Sequence, residues 1–226
     1  PELPAWRDTL SVRHLLHHTS GLPEAGALEG AEEGANWTNA RAMAQLQGLA
    51  SLPAPAGAEF RYSNAGCIAL AEIVSRVSGD TFPRFVAARI LAPLGLSALT
   101  FLDDGPSLPF PQSAYLGNQL PLSVGDGGLW TSAEGFALWL DSQNRDALGT
   151  ASLVEQPGVL NDGTPTDYGW GTGLRTYQGA PMFVHGGGWQ GASARAIRIP
   201  HLRLSLAVFT AGSRPNALDG FVTAVL

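Results

Sequence analysis

The final third of the sequence alternates apolar and polar side chains with a period of two, the pattern of half-buried β-strands. The four segments with this alternation are residues 168–177, 182–185, 192–199 and 204–210. Short turn sequences separate them at residues 178–179, 186–188 and 200–201. Strands joined by such short turns must run antiparallel. The sequence therefore predicts a four-stranded antiparallel sheet, onto which a terminal helix over residues 216–225 packs.

The preceding part of the chain, to about Asn144, has mainly helical periodicity and long loops rich in glycine and proline. Helices are predicted to begin beside residues that can cap an N-terminus, at Ser11, residues 36–38, Asn64, Thr81 and Ser132. Residues 103–128 show almost no periodicity and are predicted to form a loop. Helices packed on a mostly antiparallel sheet give an α/β (α+β) fold rather than a doubly wound parallel one.

All thirteen basic residues are arginines, so the 226 residues contain no lysine. This absence excludes a Schiff-base lysine, the phosphate-binding lysine of a P-loop and a Ser-x-x-Lys nucleophile pair from the chain itself. Arginine cannot replace lysine as a proton acceptor, because its pKa stays above about 12.

Charge and hydropathy exclude further classes of partner. The formal net charge is −6 and no basic cluster occurs, which argues against binding to nucleic acid or to an anionic membrane. No apolar run approaches the roughly 18 residues of a membrane span. Cys67 is the single cysteine, and its place on an apolar helix predicts a buried small hydrophobe rather than a nucleophile.

The tripeptide Tyr62-Ser63-Asn64 lies directly before a predicted helix. In an extended segment residues i and i+2 point the same way, so Tyr62 and Asn64 are expected to face one cleft. The phenol can transfer a proton once a nearby positive charge lowers its pKa, and the amide can orient a substrate carbonyl. The alternative is structural: Asn64 caps the helix, and Tyr62 packs at its base.

The sequence His185-Gly186-Gly187-Gly188 follows an apolar strand. A histidine at a strand end can act as an acid, a base or an electrostatic group near neutral pH. The glycines allow a ligand to approach the backbone N–H groups, as an oxyanion hole on a sheet edge requires. The alternative is a wide glycine-rich hairpin with an incidental histidine.

Three other patterns are interpreted as structural. Residues 186–191 match the dinucleotide motif G-x-G-x-x-G, but a strand rather than a helix follows, so no nucleotide cofactor is expected. His14, His17 and His18 have helical spacing but lack the order and the carboxylate of a metal site. No metal is therefore expected, and His18 is predicted to bond to loop backbone. No G-x-S-x-G elbow supports an α/β-hydrolase.

Five motifs occur together in one order along the chain. They are SVRHLLHHTSGL at residues 11–22, FRYSNAG at 60–66, PLGL at 93–96, GDGGLW at 125–130 and HGGGW at 185–189. In this combination the chain resembles the serine β-lactamase and penicillin-binding-protein superfamily, in the branch of class C β-lactamases, DD-peptidases, D-aminopeptidases and related esterases. The resemblance extends from Leu10 to the terminal helix.

The resemblance implies a cleft between a helical lobe and a sheet lobe, where three elements meet: Ser-x-x-Lys, Tyr-x-Asn, and Lys-Thr-Gly or His-x-Gly. Tyr62 and Asn64 match the second element. His185 and Gly187 match the third, and Gly188 would supply one backbone N–H of the oxyanion hole. The implied reaction proceeds through an acyl-enzyme, in which a serine attacks an amide or ester carbonyl and water later releases the acyl group. Tyr62 and the lysine would move the serine's proton, and His185 would hold substrate or polarise the tyrosine.

The first element is expected to lie outside a chain without lysine. The Ser-x-x-Lys helix of the family precedes the segment that begins at Ser11, so residues 1–226 are expected to form one N-terminally truncated domain. In this division, residues 1–150 form mainly the helical lobe, and residues 165–226 form the strands and terminal helix. The expected partners are a small-molecule or peptide substrate and the missing amino-terminal portion. The alternative is a non-catalytic module that binds cell-wall peptide or another ligand.

Histidine in place of lysine in the third element favours an esterase or peptidase, because a fixed cation suits a β-lactam carboxylate better. The sequence otherwise leaves β-lactam, ester and D-amino-acid peptide substrates open. No cofactor is expected. The compartment also stays open, although the resemblance favours a periplasmic or secreted protein over a cytoplasmic one.

Overall fold

The computed structural model describes residues 2–24, 37–101, 122–189 and 192–211. It also describes Leu218, Phe221, Val222, Ala224 and Val225. Most of the predicted loop over residues 103–128 lies outside the described residues, and its final part, 122–128, contains neither helix nor strand.

The described helices are α1 (Val12–Leu16), α2 (Asn39–Gly48), α3 (Asn64–Ser78), α4 (Phe82–Val86), α5 (Ala133–Asn144) and α6 (Ala151–Val154). A 3₁₀-helix (Ala5–Thr9) precedes α1, a π-helical turn (Ala87–Leu91) continues α4, and a second 3₁₀-helix spans Pro200–Leu202. Helices α1 to α5 each begin after a serine or threonine whose side chain accepts a backbone N–H of the first turn. None of the described helices is long and apolar enough to cross a membrane.

Two apolar clusters form the interior of the helical part. Helices α1, α2 and α3 enclose the first, which consists of Leu15, Leu22, Leu46, Ala65 and Ala69. The second consists of Leu91, Leu96 and Leu99, against which Phe136 and Trp139 of α5 pack. The first cluster holds the amino end of α3, because Ala65 in its first turn is 0% exposed. The packing of Ala65 therefore holds the adjoining segment, which carries Tyr62 and Asn64, in place.

The strands form a short pair and a four-stranded sheet. The pair is β1 (Thr100–Phe101) with β2 (Leu129–Trp130), and the sheet contains β3 (Gly173–Tyr177), β4 (Ala180–Trp189), β5 (Ala192–Ile199) and β6 (Leu204–Ala211). The sheet order is β3-β4-β5-β6, and all neighbours are antiparallel. Helix α5 packs on β6, where the ring centroids of Phe136 and Phe209 lie 5.8 Å apart. The predicted α/β architecture with an antiparallel sheet is confirmed.

The predicted turn at residues 186–188 is wrong. The three glycines continue β4 and pair residue by residue with β5, as far as the pair Trp189 and Ala192. The Arg195 side chain lies against Gly186, where a Cβ atom would be 2.2 Å from its Nη1 and would displace the end of this flexible side chain. The alternative, a glycine-rich hairpin with an incidental histidine, stays a prediction, since the glycines lie in the hairpin that β4 forms with β5.

The described residues of the predicted terminal helix are helical, and Leu218 among them is 1% exposed. Leu218 lines a cavity together with Gly186, Ser193 and Arg195. Gly186 pairs with Arg195, one position along from His185, so these residues lie on the face of the sheet opposite to His185. The division of the chain at residues 150 and 165 stays a prediction.

Candidate functional site

The turn after α1 is almost completely buried and holds the loop that leads into the site. His17, His18 and Thr19 are each 2% exposed. The His18 carbonyl accepts the N–H of Arg61 at 2.8 Å, and the Thr19 carbonyl accepts the N–H of Gly57 at 2.7 Å. These bonds hold the turn at residues 18–19 beside residues 57–61, which lie some forty positions later in the sequence.

Ser63 attaches the Tyr62-Ser63-Asn64 tripeptide to the interior. Its side chain is 0% exposed, caps α3 and donates to the Pro23 carbonyl at 2.8 Å. Its backbone N–H donates to Nδ1 of His18 at 3.2 Å, which confirms the predicted bonding of His18 to loop backbone. Because Ser63 points inward, Tyr62 and Asn64 are left to point outward. The alternative in which Asn64 caps the helix is wrong, since the cap is Ser63.

Two carboxylates lie close to this tripeptide. Asn64 Nδ2 donates to Oε1 of Glu24 at 2.6 Å. Burial, together with the smaller effects of Cys67, Glu24 and Asp126, raises the pKa of Tyr62 to about 12. Burial also raises the pKa of Asp126, and within the described residues its Oδ1 atom is buried without a hydrogen-bond partner. This side of the cleft is therefore negative, and no described group lowers the pKa of the phenol.

An aromatic cluster brings Tyr62 to His185. The ring centroids of Tyr62 and His185 lie 6.4 Å apart, and the ring centroids of Tyr62 and His18 lie 4.1 Å apart. Tyr168 belongs to the same cluster, and its hydroxyl oxygen lies 3.1 Å from Nε2 of His185. Tyr62 and His185 come from the helical part and from the sheet, so the cluster forms where the two parts meet.

The imidazole of His185 is held in its neutral form. Burial lowers its pKa below the usual value of 6.5, a hydrogen bond with the Gly186 backbone opposes this, and the charge of Arg195 lowers the pKa again. Because the net shift is downward, His185 carries no fixed positive charge near pH 7.

Within the described part of the chain, one edge of β4 is open beside His185. Strand β3 pairs with β4 only as far as Val184, whereas β5 pairs with it as far as Trp189. Thr172 Oγ1 donates to the Val184 carbonyl at 3.3 Å, so the backbone groups of Val184 face the β3 side. Backbone direction alternates along a strand, which turns the N–H groups of Gly186 and Gly188 to the same edge. Both glycines are exposed, and a ligand can reach these donors.

The three histidines near α1 are each bonded to protein groups rather than turned toward a common point. His14 Nδ1 accepts the Ser11 N–H, His17 Nε2 accepts the indole N–H of Trp170, and His18 Nδ1 accepts the Ser63 N–H. Across the described ranges, no group of three or more His, Cys, Asp and Glu side chains is arranged to hold a metal ion.

Ring contact joins two of the predicted site residues, Tyr62 and His185. Asn64 adjoins Tyr62, and the three glycines at residues 186–188 follow His185 on β4. Their catalytic roles stay predictions. Sequence reasoning missed Glu24 and Tyr168, because each contacts the site through a partner distant in sequence and no motif or spacing marks it.

Several proteins of known structure have the same fold as this chain. A penicillin binding protein from Bacillus halodurans is 23% identical, with a TM-score of 0.74 over 100% of this chain and 78% of its own. A D-stereospecific amidohydrolase from Streptomyces sp. is 21% identical, with a TM-score of 0.75 over 90% of this chain and 68% of its own. The chain therefore has the fold of penicillin-binding proteins and related hydrolases.

The family follows from the sequence profile described as Beta-lactamase, which matches residues 1–224. The chain belongs to this family, which confirms the resemblance. A D-aminopeptidase from Brucella anthropi is 26% identical over 210 residues, which are 86% of this chain and 40% of that protein. The chain thus spans about two fifths of the length of this curated relative.

Proposed function

We propose that the protein is a serine hydrolase that acts through an acyl-enzyme, on amides or esters with a free amino group beside the carbonyl. The observation that carries the proposal is the meeting of Tyr62 and His185, 6.4 Å apart between ring centroids, beside the open edge of β4. Membership of the Beta-lactamase family supports hydrolysis, and the D-aminopeptidase relative supports substrates with a free amino group.

Tyr62 would carry the proton of the nucleophile. A phenol with a pKa of about 12 is almost entirely protonated near neutral pH and so cannot accept the serine proton, but an adjacent cation lowers the pKa of a phenol. The 226 residues contain no lysine. The proposal therefore includes a Ser-x-x-Lys segment outside these residues, whose serine is the nucleophile and whose amine lies against the Tyr62 hydroxyl.

The open edge of β4 would bind the reacting carbonyl. The N–H of Gly188 faces this edge and would donate to the carbonyl oxygen as it becomes an oxyanion. Gly186 offers a second N–H on the same edge, and Gly187 keeps the strand free of a side chain between them. A peptide-like substrate would then lie along the edge in an extended form, as an added strand does.

His185 would hold the substrate or polarise Tyr62 without a permanent charge. Its pKa is lowered by burial, so a substrate carboxylate finds no fixed cation at this position. Lysine would supply such a cation. The neutral imidazole therefore supports an amidase or esterase over an efficient β-lactamase.

The acidic side of the cleft supports a cationic substrate group. Glu24 bonds to Asn64 at 2.6 Å, and Asp126 raises the pKa of Tyr62 through its charge. A free amino group near Asn64 would be attracted by both carboxylates. A β-lactam, which carries a carboxylate, would be repelled by them.

A substrate panel tests the proposed function in the full protein. D-Alanine p-nitroanilide, its N-acetyl form, p-nitrophenyl acetate and nitrocefin are compared as substrates, and a separate sample is labelled with a fluorescent fluorophosphonate. We expect a labelled serine in a Ser-x-x-Lys segment, and a kcat/KM for the free-amino anilide about tenfold or more above those for its N-acetyl form and nitrocefin. The absence of both labelling and hydrolysis would overturn the proposal. Retained binding of a cell-wall peptide would then support the non-catalytic module, which the lack of lysine motivates.

Replacing Glu24 with glutamine is expected to raise KM for the free-amino anilide about tenfold, because a hydrogen bond to a charged group contributes about that much. Glutamine keeps an oxygen that can accept from Asn64. The KM for the N-acetyl form should stay unchanged. Glu59→Gln, which removes an exposed carboxylate paired with Arg61, is the matched control. An equal rise in KM for both substrates would contradict the assignment of Glu24 to the amino group.

A further inference from the structure

We propose that Tyr168 is a positioning residue of the site: its hydroxyl donates to Nε2 of His185 and fixes the imidazole in the cleft. The contact measures 3.1 Å between the two atoms. The proposal rests on the proposed function, since it gives a role to a neighbour of His185. None of the five sequence motifs includes Tyr168. This residue lies seventeen positions before His185 in the sequence.

Tyr168 is itself held at several points. Its carbonyl oxygen accepts the N–H of Gly158 at 3.0 Å and the hydroxyl of Thr166 at 3.3 Å. Its ring lies 4.9 Å from the His18 ring and 5.6 Å from the Phe60 ring, between centroids. With 9% of the residue exposed, the side chain has little room to move. The position of the Tyr168 hydroxyl is therefore fixed, and a group that bonds to this hydroxyl is held in turn.

His17 adds a third bond to the same carbonyl oxygen. The indole N–H of Trp170 donates to Nε2 of His17 at 2.9 Å, which leaves the proton of this neutral ring on Nδ1. Nδ1 lies 3.3 Å from the Tyr168 carbonyl oxygen and donates to it. The buried turn after α1 thus holds Tyr168 through His17, while the adjacent His18 holds the backbone of Ser63.

Within the sheet, the described neighbours of His185 on β4 and β5 do little to fix its ring. The residues that follow it on β4 are glycines, and its partner across the ladder on β5 is Ala196. None of these offers more than a methyl group for packing. Among the described residues, the bond to the Tyr168 hydroxyl is therefore the side-chain hydrogen bond that orients the imidazole, beside the bond of the ring with the Gly186 backbone.

The bond also decides which ring nitrogen carries the proton. The His185 ring donates to the Gly186 backbone, an interaction that raises its pKa against the effect of burial. The remaining nitrogen, Nε2, then accepts from Tyr168, so the neutral ring is protonated on Nδ1. Nε2 is occupied by this bond, so His185 orients substrate and Tyr62 rather than acting as a free base.

The test replaces Tyr168 with phenylalanine in the full protein, a change that keeps the ring contacts and removes only the hydroxyl. In the unaltered protein at pH 7.5 (about one unit above the usual histidine pKa), ¹⁵N NMR of His185 should show a protonated Nδ1 and an unprotonated Nε2. In Tyr168→Phe we expect a shift toward the Nε2-protonated form, and a kcat/KM for the free-amino anilide lower by about tenfold, the effect of one hydrogen bond.

Tyr177→Phe is the matched control, because it removes a phenolic hydroxyl at the outer end of the hairpin, where Gln178 contacts it. It should change neither the His185 resonances nor kcat/KM. An unchanged His185 tautomer in Tyr168→Phe would overturn the proposal, whatever the activity. A changed tautomer in a protein without any hydrolytic activity would support the positioning role and count against the proposed function, so the two failures can be told apart.

Discussion

Replacing Tyr62 with phenylalanine is expected to lower kcat for a D-amino-acid anilide by about 100-fold or more, because a positioned acid or base contributes at least that factor. In the proposed mechanism the phenol, together with the lysine amine, passes the proton to and from the serine. KM should change little, since the carboxylates and the β4 edge that would bind the substrate remain. The measurement is steady-state hydrolysis by the full protein.

The variant should fold, which makes a loss of turnover interpretable. Phenylalanine retains the stacking of the ring on His18, whose centroid lies 4.1 Å away, and the contact with Tyr168 at 6.2 Å. No hydrogen bond of the Tyr62 hydroxyl within the described residues is lost. Tyr177→Phe serves again as control, and thermal melting compares both variants with the unaltered protein. Unaltered turnover in Tyr62→Phe would remove Tyr62 from the mechanism.

Capping residues and apolar periodicity were sufficient to predict where several helices begin. Ser11, Thr81 and Ser132 precede apolar periodicity, and each caps a helix in the structure. The same rule was less specific at the site, where Ser63 and Asn64 are adjacent and both residue types cap helices well. Burial decided between them: Ser63 meets the Pro23 carbonyl and His18 inside the protein, which a sequence does not reveal.

The turn predicted at the three glycines was wrong for a similar reason. Consecutive glycines favour a turn when only local conformation is considered. Here, seven residues at the end of β4 pair with β5, and the Arg195 side chain lies against the face of Gly186. Tertiary pairing fixes an extended conformation that glycine tolerates but does not prefer.

The contacts that give the cleft its chemistry connect residues far apart in sequence. Glu24 and Asn64 are separated by 40 positions, and His17 and Trp170 by 153. Periodicity and capping describe neighbours within a few residues, so they cannot pair such groups. The family motifs identified Tyr62 and His185 as a pair before any geometry was available, whereas Glu24 and Tyr168 needed the fold.

The pH dependence of stability is expected to show that His18 supports the site in its neutral form. Burial, with His185 and His17 nearby, lowers the pKa of His18 from 6.5 to about 4. A depressed histidine pKa means that the unfolded chain takes up the proton first as pH falls. The stability that comes from neutral His18 is therefore complete above pH 6.5 and is lost as pH falls toward 4, by roughly 3 kcal/mol in total. Burial lowers the pKa of His17 too, which adds a loss of the same sign.

His18→Asn isolates this contribution. Asparagine tolerates the positive φ of 54° at this position, and its side-chain oxygen can accept the Ser63 N–H as Nδ1 does. The variant should be less stable at pH 7, where the ring contacts with Tyr62 and Tyr168 are missing, yet should lose roughly 3 kcal/mol less between pH 7 and pH 4. Urea denaturation of the full protein across this range measures the difference, with His201→Asn as the control that removes an exposed histidine. Parallel pH profiles for His18→Asn and the unaltered protein would mean that a different group carries the acid sensitivity. A flatter profile for the variant alone would show that the folded protein requires the His18 ring, which accepts the Ser63 N–H, to stay unprotonated.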